Sequence, residues 1–213
     1  MMVSPAGKSM LEIVQSIHKK GCRICGLRPE FCVCKRLPSI ATRTRISIVI
    51  HRTEIIRPSN SGQLAAACLK YSDLVLYGNP DHFIDWSSIA RQGYQPAILF
   101  PEGILTLTAD MAAGAPLQLI IPDGNWRQAG RMFRRLIVKQ KLTGLRLPVS
   151  GPSAYQLRRR PEHQESQSTF EAIIRALEIL EGAHVAEPLQ EVFGRFISRH
   201  LVSRGKIHPR DML

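Results

Sequence analysis

At 213 residues the chain is long enough for one full hydrophobic core and a small appendage. It is 44% hydrophobic and 22% charged, the balance of a soluble globular protein, and no apolar run approaches the roughly 20 residues of a membrane span. Lys and Arg outnumber Asp and Glu 29 to 17, giving a net charge of +12 and a pI near 10. That excess points to a polyanionic partner, nucleic acid before membrane, because counterion release rewards cations clustered on phosphate. The N-terminus carries Lys8 and Glu12 and lacks an apolar signal core, so a cytoplasmic protein is expected.

In chain order, residues 1–20 read as a loose start followed by a short amphipathic helix, with Met10, Leu11, Val14 and Ile17 on one face. Residues 22–34, CRICGLRPEFCVC, space four cysteines as C-x2-C-x6-C-x-C. Thiolates this close in sequence suit one tetrahedral structural zinc on Cys22, Cys25, Cys32 and Cys34, with no open position for catalysis. Cys68 stands alone and reads as a small buried hydrophobe. A segment of about 1–40 holding the metal and a catalytic domain of 41–213 are expected.

Ile46–Ile50 (ISIVI) is a continuous β-rich run, the pattern of a buried parallel strand. It leads through His51, Glu54 and the loop RPSNSG to a helix at Gln63–Lys70, with Ser61 as its expected N-cap. Further strands are expected at Asp73–Tyr77, Ala97–Phe100, Leu117–Ile121 and Leu145–Val149, the last weakened by Pro148. Helices are expected at about 86–91, 126–140, 169–181 and 188–203. Strands alternating with helices imply an α/β fold with a mainly parallel sheet. The strand ends then gather HRTE…RPSNSG, PEG and PDGNW at one edge, where ligands bind in open α/β sheets. None of these loops contains a GxGxxG or Walker pattern, so a standard dinucleotide or nucleoside triphosphate site is not supported.

The stretch Pro122–Met132 (PDGNWRQAGRM) is central to this reading. It joins a buried strand to a helix whose Ala129, Met132, Phe133, Leu136 and Ile137 form an apolar stripe. From Arg127 to Arg160 there are ten Lys and Arg and no Asp or Glu. Arg127, Arg131, Arg134, Arg135 and Lys139 lie on the new helix, and Arg158, Arg159 and Arg160 form a second cluster. A merely solvated face would mix signs, since like charges four apart repel. A phosphate-tracking surface is expected.

The cysteine pattern, HRTE…RPSNSG, LFPEG, PDGNW, SAYQLRR and STFEAIIRALE occur here in the order seen in the DTW-domain family, which the chain resembles over about residues 20–200. The family's Asp-x-Thr-Trp motif stands here as Asp123-Gly124-Asn125-Trp126, with Asn in place of Thr. The resemblance implies a SPOUT-like fold with a knotted cofactor pocket. It also implies transfer of the 3-amino-3-carboxypropyl group of S-adenosylmethionine to N3 of a uridine in tRNA, giving acp3U. On that reading Asp123 takes or orients the imide proton, or serves only as an N-cap. Trp126 stacks on a base or is a core aromatic. Pro101, Glu102, Gly103, Ile121, Pro122, Gly124 and Asn125 contact the S-adenosylmethionine. Ser168, Thr169 and Glu171 either contact its amino acid end or, for Ser168 and Glu171, form a capping box. His51 and Glu54 are left as pocket or surface residues. The tRNA partner fits the charge, and monomer and homodimer both stay open. A SPOUT-like RNA methyltransferase and a non-catalytic zinc-ribbon RNA-binding protein are the competing readings.

Overall fold

A computed structural model describes residues 21–78, 84, 89–149 and 167–211. The expected helix within 1–20 and the cluster Arg158, Arg159 and Arg160 lie outside them, as do residues 86–88 of the short helix expected at 86–91.

The β-branched and apolar runs form six strands: β1 (Arg45–His51), β2 (Ser72–Tyr77), β3 (Gln95–Leu99), β4 (Leu105–Thr106), β5 (Leu117–Asp123) and β6 (Thr143–Arg146). They make one sheet in the order β2-β1-β5-β3-β6-β4, with every pairing parallel. β5 lies inside the sheet and is buried along its whole length, as its uninterrupted apolar sequence requires. Among the described residues four α-helices accompany the strands: α1 (Gly62–Cys68), α2 (Trp126–Gln140), α3 (Thr169–Glu181) and α4 (Ala183–Ser203).

Side chains alternate across the strands and separate two cores. Ile46, Ile48, Ile50, Leu119 and Ile121 face α1, α3 and α4, through Leu64, Phe170, Leu177, Leu189 and Phe196. Val49, Ile98 and Ile120 face α2, through Met132, Phe133 and Leu136. The cysteine segment has no core of its own among the described residues. Cys25, Leu27 and Val33 belong to the first cluster, under the same sheet face as α4.

Several boundaries differ from the sequence expectation. β5 continues through Pro122 and Asp123, opposite Val49 and Ile50 of β1. The β3 pairing has already ended at Ile120, so Pro122 is flanked by a strand on one side only, where a missing N–H is tolerated. The expected strand 145–149 runs instead over Thr143–Arg146, because Pro148 and the fully exposed Val149 lie beyond the ladder. α4 begins at Ala183, five residues before Pro188, which sits inside the helix. β4, only two residues long, carries too little periodicity to be read in advance.

Strand β6 enters between β3 and β4, so the link from β3 to β4 must cross it. Gly103 is the point of crossing. A Cβ on Gly103 would sit 2.3 Å from the carbonyl carbon and oxygen of Leu145, which no other residue type allows.

Candidate functional site

β1 and β5 are adjacent, but their continuations leave on opposite faces of the sheet. β1 leads to α1 on one face and β5 to α2 on the other. Such a divergence at the carboxyl edge marks the usual ligand position in an open parallel sheet. Asp123, the last residue of β5, lies there and is 6% exposed.

Two distant segments converge on Asp123. Asn60 Nδ2 donates to its Oδ2 at 2.7 Å, and Thr169 Oγ1 donates to its Oδ1 at 2.7 Å. Asn60 is fixed in turn, because its Oδ1 accepts from the Gln63 backbone N–H at 3.0 Å. Gly62 leaves the space that this requires, since a Cβ there would lie 2.5 Å from Asp123 Oδ2. Ser61, the expected N-cap of α1, makes no side-chain cap; its hydroxyl accepts from the Phe170 N–H at 3.3 Å. The loop after β1, the end of β5 and the start of α3 are thereby tied at one carboxylate. Sequence reasoning does not single out Asn60 and Ser61 as site residues; their position in RPSNSG is the only available signal.

Asp123 is not the N-cap of α2. Asn125 fills that place and forms a capping box with Gln128: Asn125 Oδ1 accepts from the Gln128 N–H at 3.0 Å, and Gln128 Oε1 accepts from the Asn125 N–H at 2.9 Å. Threonine is also a favoured N-cap, so Asn125 retains the capping role that a threonine there would fill. Gln128 Nε2 donates to Thr53 Oγ1 at 3.1 Å, and Thr53 Oγ1 lies 2.9 Å from His51 Nδ1. The start of α2 is thus linked to the end of β1. Burial, followed by the nearby Arg52 and Arg131 charges, holds the His51 pKa below its ordinary value. Glu54 is a buried loop residue whose carboxylate pairs with Arg57 at 3.2 Å.

Trp126 is 49% exposed and leans on Phe100, ring centroids 5.4 Å apart, so it is not a core aromatic. Pro101 and Glu102 are exposed, whereas Gly103 is buried against β6. Ile121 and Pro122 are buried strand residues, and Gly124 follows Asp123 at the turn. Ser168 and Glu171 form the expected capping box on α3, at 3.3 and 2.8 Å, which occupies the Ser168 hydroxyl and the Glu171 carboxylate.

The four cysteine sulfurs all lie within 4.8 Å of one another, with Cys22–Cys34 at 3.6 Å and Cys25–Cys32 at 3.8 Å. A tetrahedron with Zn–S bonds of about 2.3 Å has edges of about 3.8 Å, so the set fits one zinc ion. The thiols cannot all ionise unaided. The Cys34 thiol donates to Cys25 and pulls its pKa down to about 5, while burial pushes Cys32 up to about 11 and Cys34 rises beside the Cys25 charge. A divalent cation removes that conflict. Cys68, outside the cluster, is fully buried, and burial raises its thiol to about 12.

A DTW-domain profile matches residues 19–201. The chain belongs to the DTW-domain family. No solved structure matches it. The match includes both the cysteine cluster and the three segments that meet at Asp123. The basic residues of this DTW domain divide into two groups. Arg127, Arg131, Arg134, Arg135 and Lys139 are all exposed on α2. Arg134 pairs with Glu102 at 3.3 Å, and Arg135 donates to the Tyr77 hydroxyl. Among the described residues, no ion pair engages Arg127, Arg131 or Lys139. Arg127 and Arg131 lie in the first turns of α2, close to the carboxyl edge of the sheet, whereas Lys139 lies in its last turn. No helix of the described residues is long and apolar enough to cross a membrane.

Proposed function

We propose that this DTW protein transfers the 3-amino-3-carboxypropyl group of S-adenosylmethionine to N3 of a uridine in tRNA. Membership of the family is consistent with a tRNA-modifying role that uses S-adenosylmethionine. The observation that carries the finer reading is the carboxylate at the β1/β5 divergence. Asp123 is held by side chains 63 and 46 residues away, beside a helix whose Arg127, Arg131 and Lys139 have no ion-pair partner among the described residues. Such convergence of distant segments on one buried polar group marks a built site rather than a solvated turn.

The reaction places the uridine N3 in line with the bond from sulfur to the γ-carbon of the methionyl chain, about 3–3.5 Å from that carbon. The N3–Cγ bond forms as the Cγ–S bond breaks. The sulfonium takes the bonding pair and leaves as the neutral thioether 5′-methylthioadenosine. N3 must first lose its imide proton, and anion and sulfonium then neutralise one another, a change favoured where water is excluded. Asp123 is suited to accept or orient that proton. The bonds from Asn60 and Thr169 fix its oxygens, and a carboxylate oxygen can accept more than one hydrogen bond.

The loops at Pro101–Gly103 and Ile121–Asn125 would carry the S-adenosylmethionine, with Thr169 at its amino acid end. The crossing of Gly103 over β6 supports a threaded, SPOUT-like pocket at that place. Trp126, half exposed on Phe100, offers a stacking surface for a base, and Arg127, Arg131 and Lys139 offer phosphate contacts. The four-cysteine cluster would hold zinc in a structural role, with every coordination position filled by sulfur.

The test is nucleoside mass spectrometry of unmodified tRNA incubated with the protein and S-adenosylmethionine. The aminocarboxypropyl adduct of uridine is the expected product. A methylated nucleoside would assign the protein to the methyltransferases, and no adduct would leave it an RNA-binding protein.

A further inference from the structure

The cysteine module touches the segment that holds Asp123. Gly26, between the second cysteine and Leu27, has φ +68°, and its backbone lies flat against Pro58: a Cβ there would fall 2.3 Å from Pro58 Cα and 2.5 Å from Pro58 O. Pro58 begins the run Ser59-Asn60-Ser61, whose three polar side chains are buried. Asn60 bonds Asp123, and Ser61 accepts from the Phe170 N–H at the start of α3.

The module is clamped from its other side. Arg199 Nη1 donates to the Cys32 carbonyl at 2.9 Å, and His200 Nε2 lies 3.2 Å from the Cys25 carbonyl. Both residues belong to α4, whose Val192 and Phe196 are buried in the main core. The cysteine turn is therefore held between a core helix and the 57–61 loop. The Cys22 and Leu27 backbones close it, through Cys22 N–H to Leu27 O at 2.7 Å and Gly26 N–H to Cys22 O at 2.8 Å.

We infer that the metal-bound cysteine turn is a positioning element for the catalytic edge: Gly26 presses on Pro58 and sets the place of Asn60 against Asp123. The residues fit a tetrahedral ion, and the ion would fix the turn that bears Gly26. The cluster is then not a separate stabilising appendage. Its occupancy controls local order in residues 57–63 and at the start of α3, while the sheet keeps its own packing. For S-adenosylmethionine affinity the inference rests on the proposed function; for loop order it does not.

Amide hydrogen exchange on the full chain, with zinc and after chelation, tests it. Expected is a rise of about tenfold or more in exchange at Gln63, whose N–H bonds Asn60, and at Phe170, whose N–H bonds Ser61. Exchange at Ile98 and Ile120 in the sheet should stay unchanged. Gly26→Asn gives a second route. Asn tolerates the left-handed conformation but still brings a Cβ onto Pro58. Its cobalt-substituted form should keep the tetrathiolate charge-transfer spectrum, yet show the same rise at Gln63 and Phe170. S-adenosylmethionine affinity should fall about tenfold in the variant, as expected for a displaced positioning residue. Unchanged exchange at Gln63 and Phe170 after chelation, or an equal rise at every amide, would overturn the inference. If exchange responds as expected but the native protein does not bind S-adenosylmethionine, the coupling stands and the proposed function fails.

Discussion

Asp123 accepts a side-chain hydrogen bond from the buried Asn60 at one oxygen and from the partly buried Thr169 at the other. Removing the carboxylate leaves the buried Asn60 amide without its acceptor. Asp123→Ala should therefore cost about 3 kcal/mol of stability, read from urea midpoints at unchanged slope. Asp123→Asn keeps the shape and should cost less, but its product formation should fall at least about a hundredfold, in the range of a lost acid–base group. Equal activity in Asp123→Asn would remove this residue from the proposed chemistry. Trp126 gives the opposite pattern. Half exposed, it contributes little core burial, so Trp126→Ala should alter stability by about 1 kcal/mol while weakening RNA binding about tenfold or more. Trp126→Phe should restore most of that binding.

At the scale of elements, α2 joins the buried carboxylate to the basic surface. Its apolar stripe, Ala129, Met132, Phe133 and Leu136, is buried as the sequence periodicity requires. Its cap is worth testing because Asn125 departs from the family's threonine. Asn125→Thr should change stability by no more than about 0.5 kcal/mol, whereas Asn125→Ala should cost about 1 kcal/mol. On the exposed face, Arg127→Glu with Arg131→Glu should weaken tRNA binding more than the same change at Arg134 and Arg135, which already have Glu102 and Tyr77 as partners. The slope of log affinity against log salt should fall by roughly 0.7–0.9 for each phosphate that the variant no longer neutralises. An unchanged slope would place the RNA elsewhere.

Local signals made much of α2 and α3 legible. The apolar stripe of α2 and the Ser168–Glu171 box depend on neighbours three or four residues apart, and the cysteine cluster on spacings within 13 residues. Asn60, Asp123 and Thr169 meet only once β1 has paired with β5 and α3 has packed beside them, so no local pattern announces their meeting. The exposure of Trp126 was likewise not set by its own helix. It follows from Phe100, which packs on Phe133 and lies against the Trp126 ring.

For the whole molecule, the two edges of the sheet have different chemistry. At the amino edge, Asp73 is bound by Arg45 at 2.8 Å and Arg91 at 3.1 Å. Burial alone would raise the Asp73 pKa, but the two guanidinium groups outweigh it and hold the carboxyl below its ordinary 3.8. A depressed carboxylate stabilises the fold above its unfolded pKa, and that contribution is lost as pH falls through the folded value. Asp73→Asn should thus flatten the acid-unfolding profile below about pH 4. At the carboxyl edge Asn60 and Thr169 instead meet on Asp123, with Arg127 and Arg131 in the first turns of α2 and the cysteine turn against the 57–61 loop. The gathering of polar loops at the carboxyl edge was implied by the parallel alternation of strands and helices; the Arg45–Asp73–Arg91 pairing at the amino edge was not. The strand order that puts β5 beside β1, and β6 between β3 and β4, was not, because strand order depends on pairings far apart in sequence.

The proposed reaction is distinguished from methyl transfer by the carbon of S-adenosylmethionine that reaches the RNA. Unmodified tRNA incubated with the protein and S-adenosylmethionine, labelled in one reaction in the methyl group and in another in the carboxypropyl chain, tests it directly. Chain label should enter the RNA and methyl label should remain in released 5′-methylthioadenosine. Methyl label in the RNA with chain label left in the small-molecule fraction would exclude aminocarboxypropyl transfer.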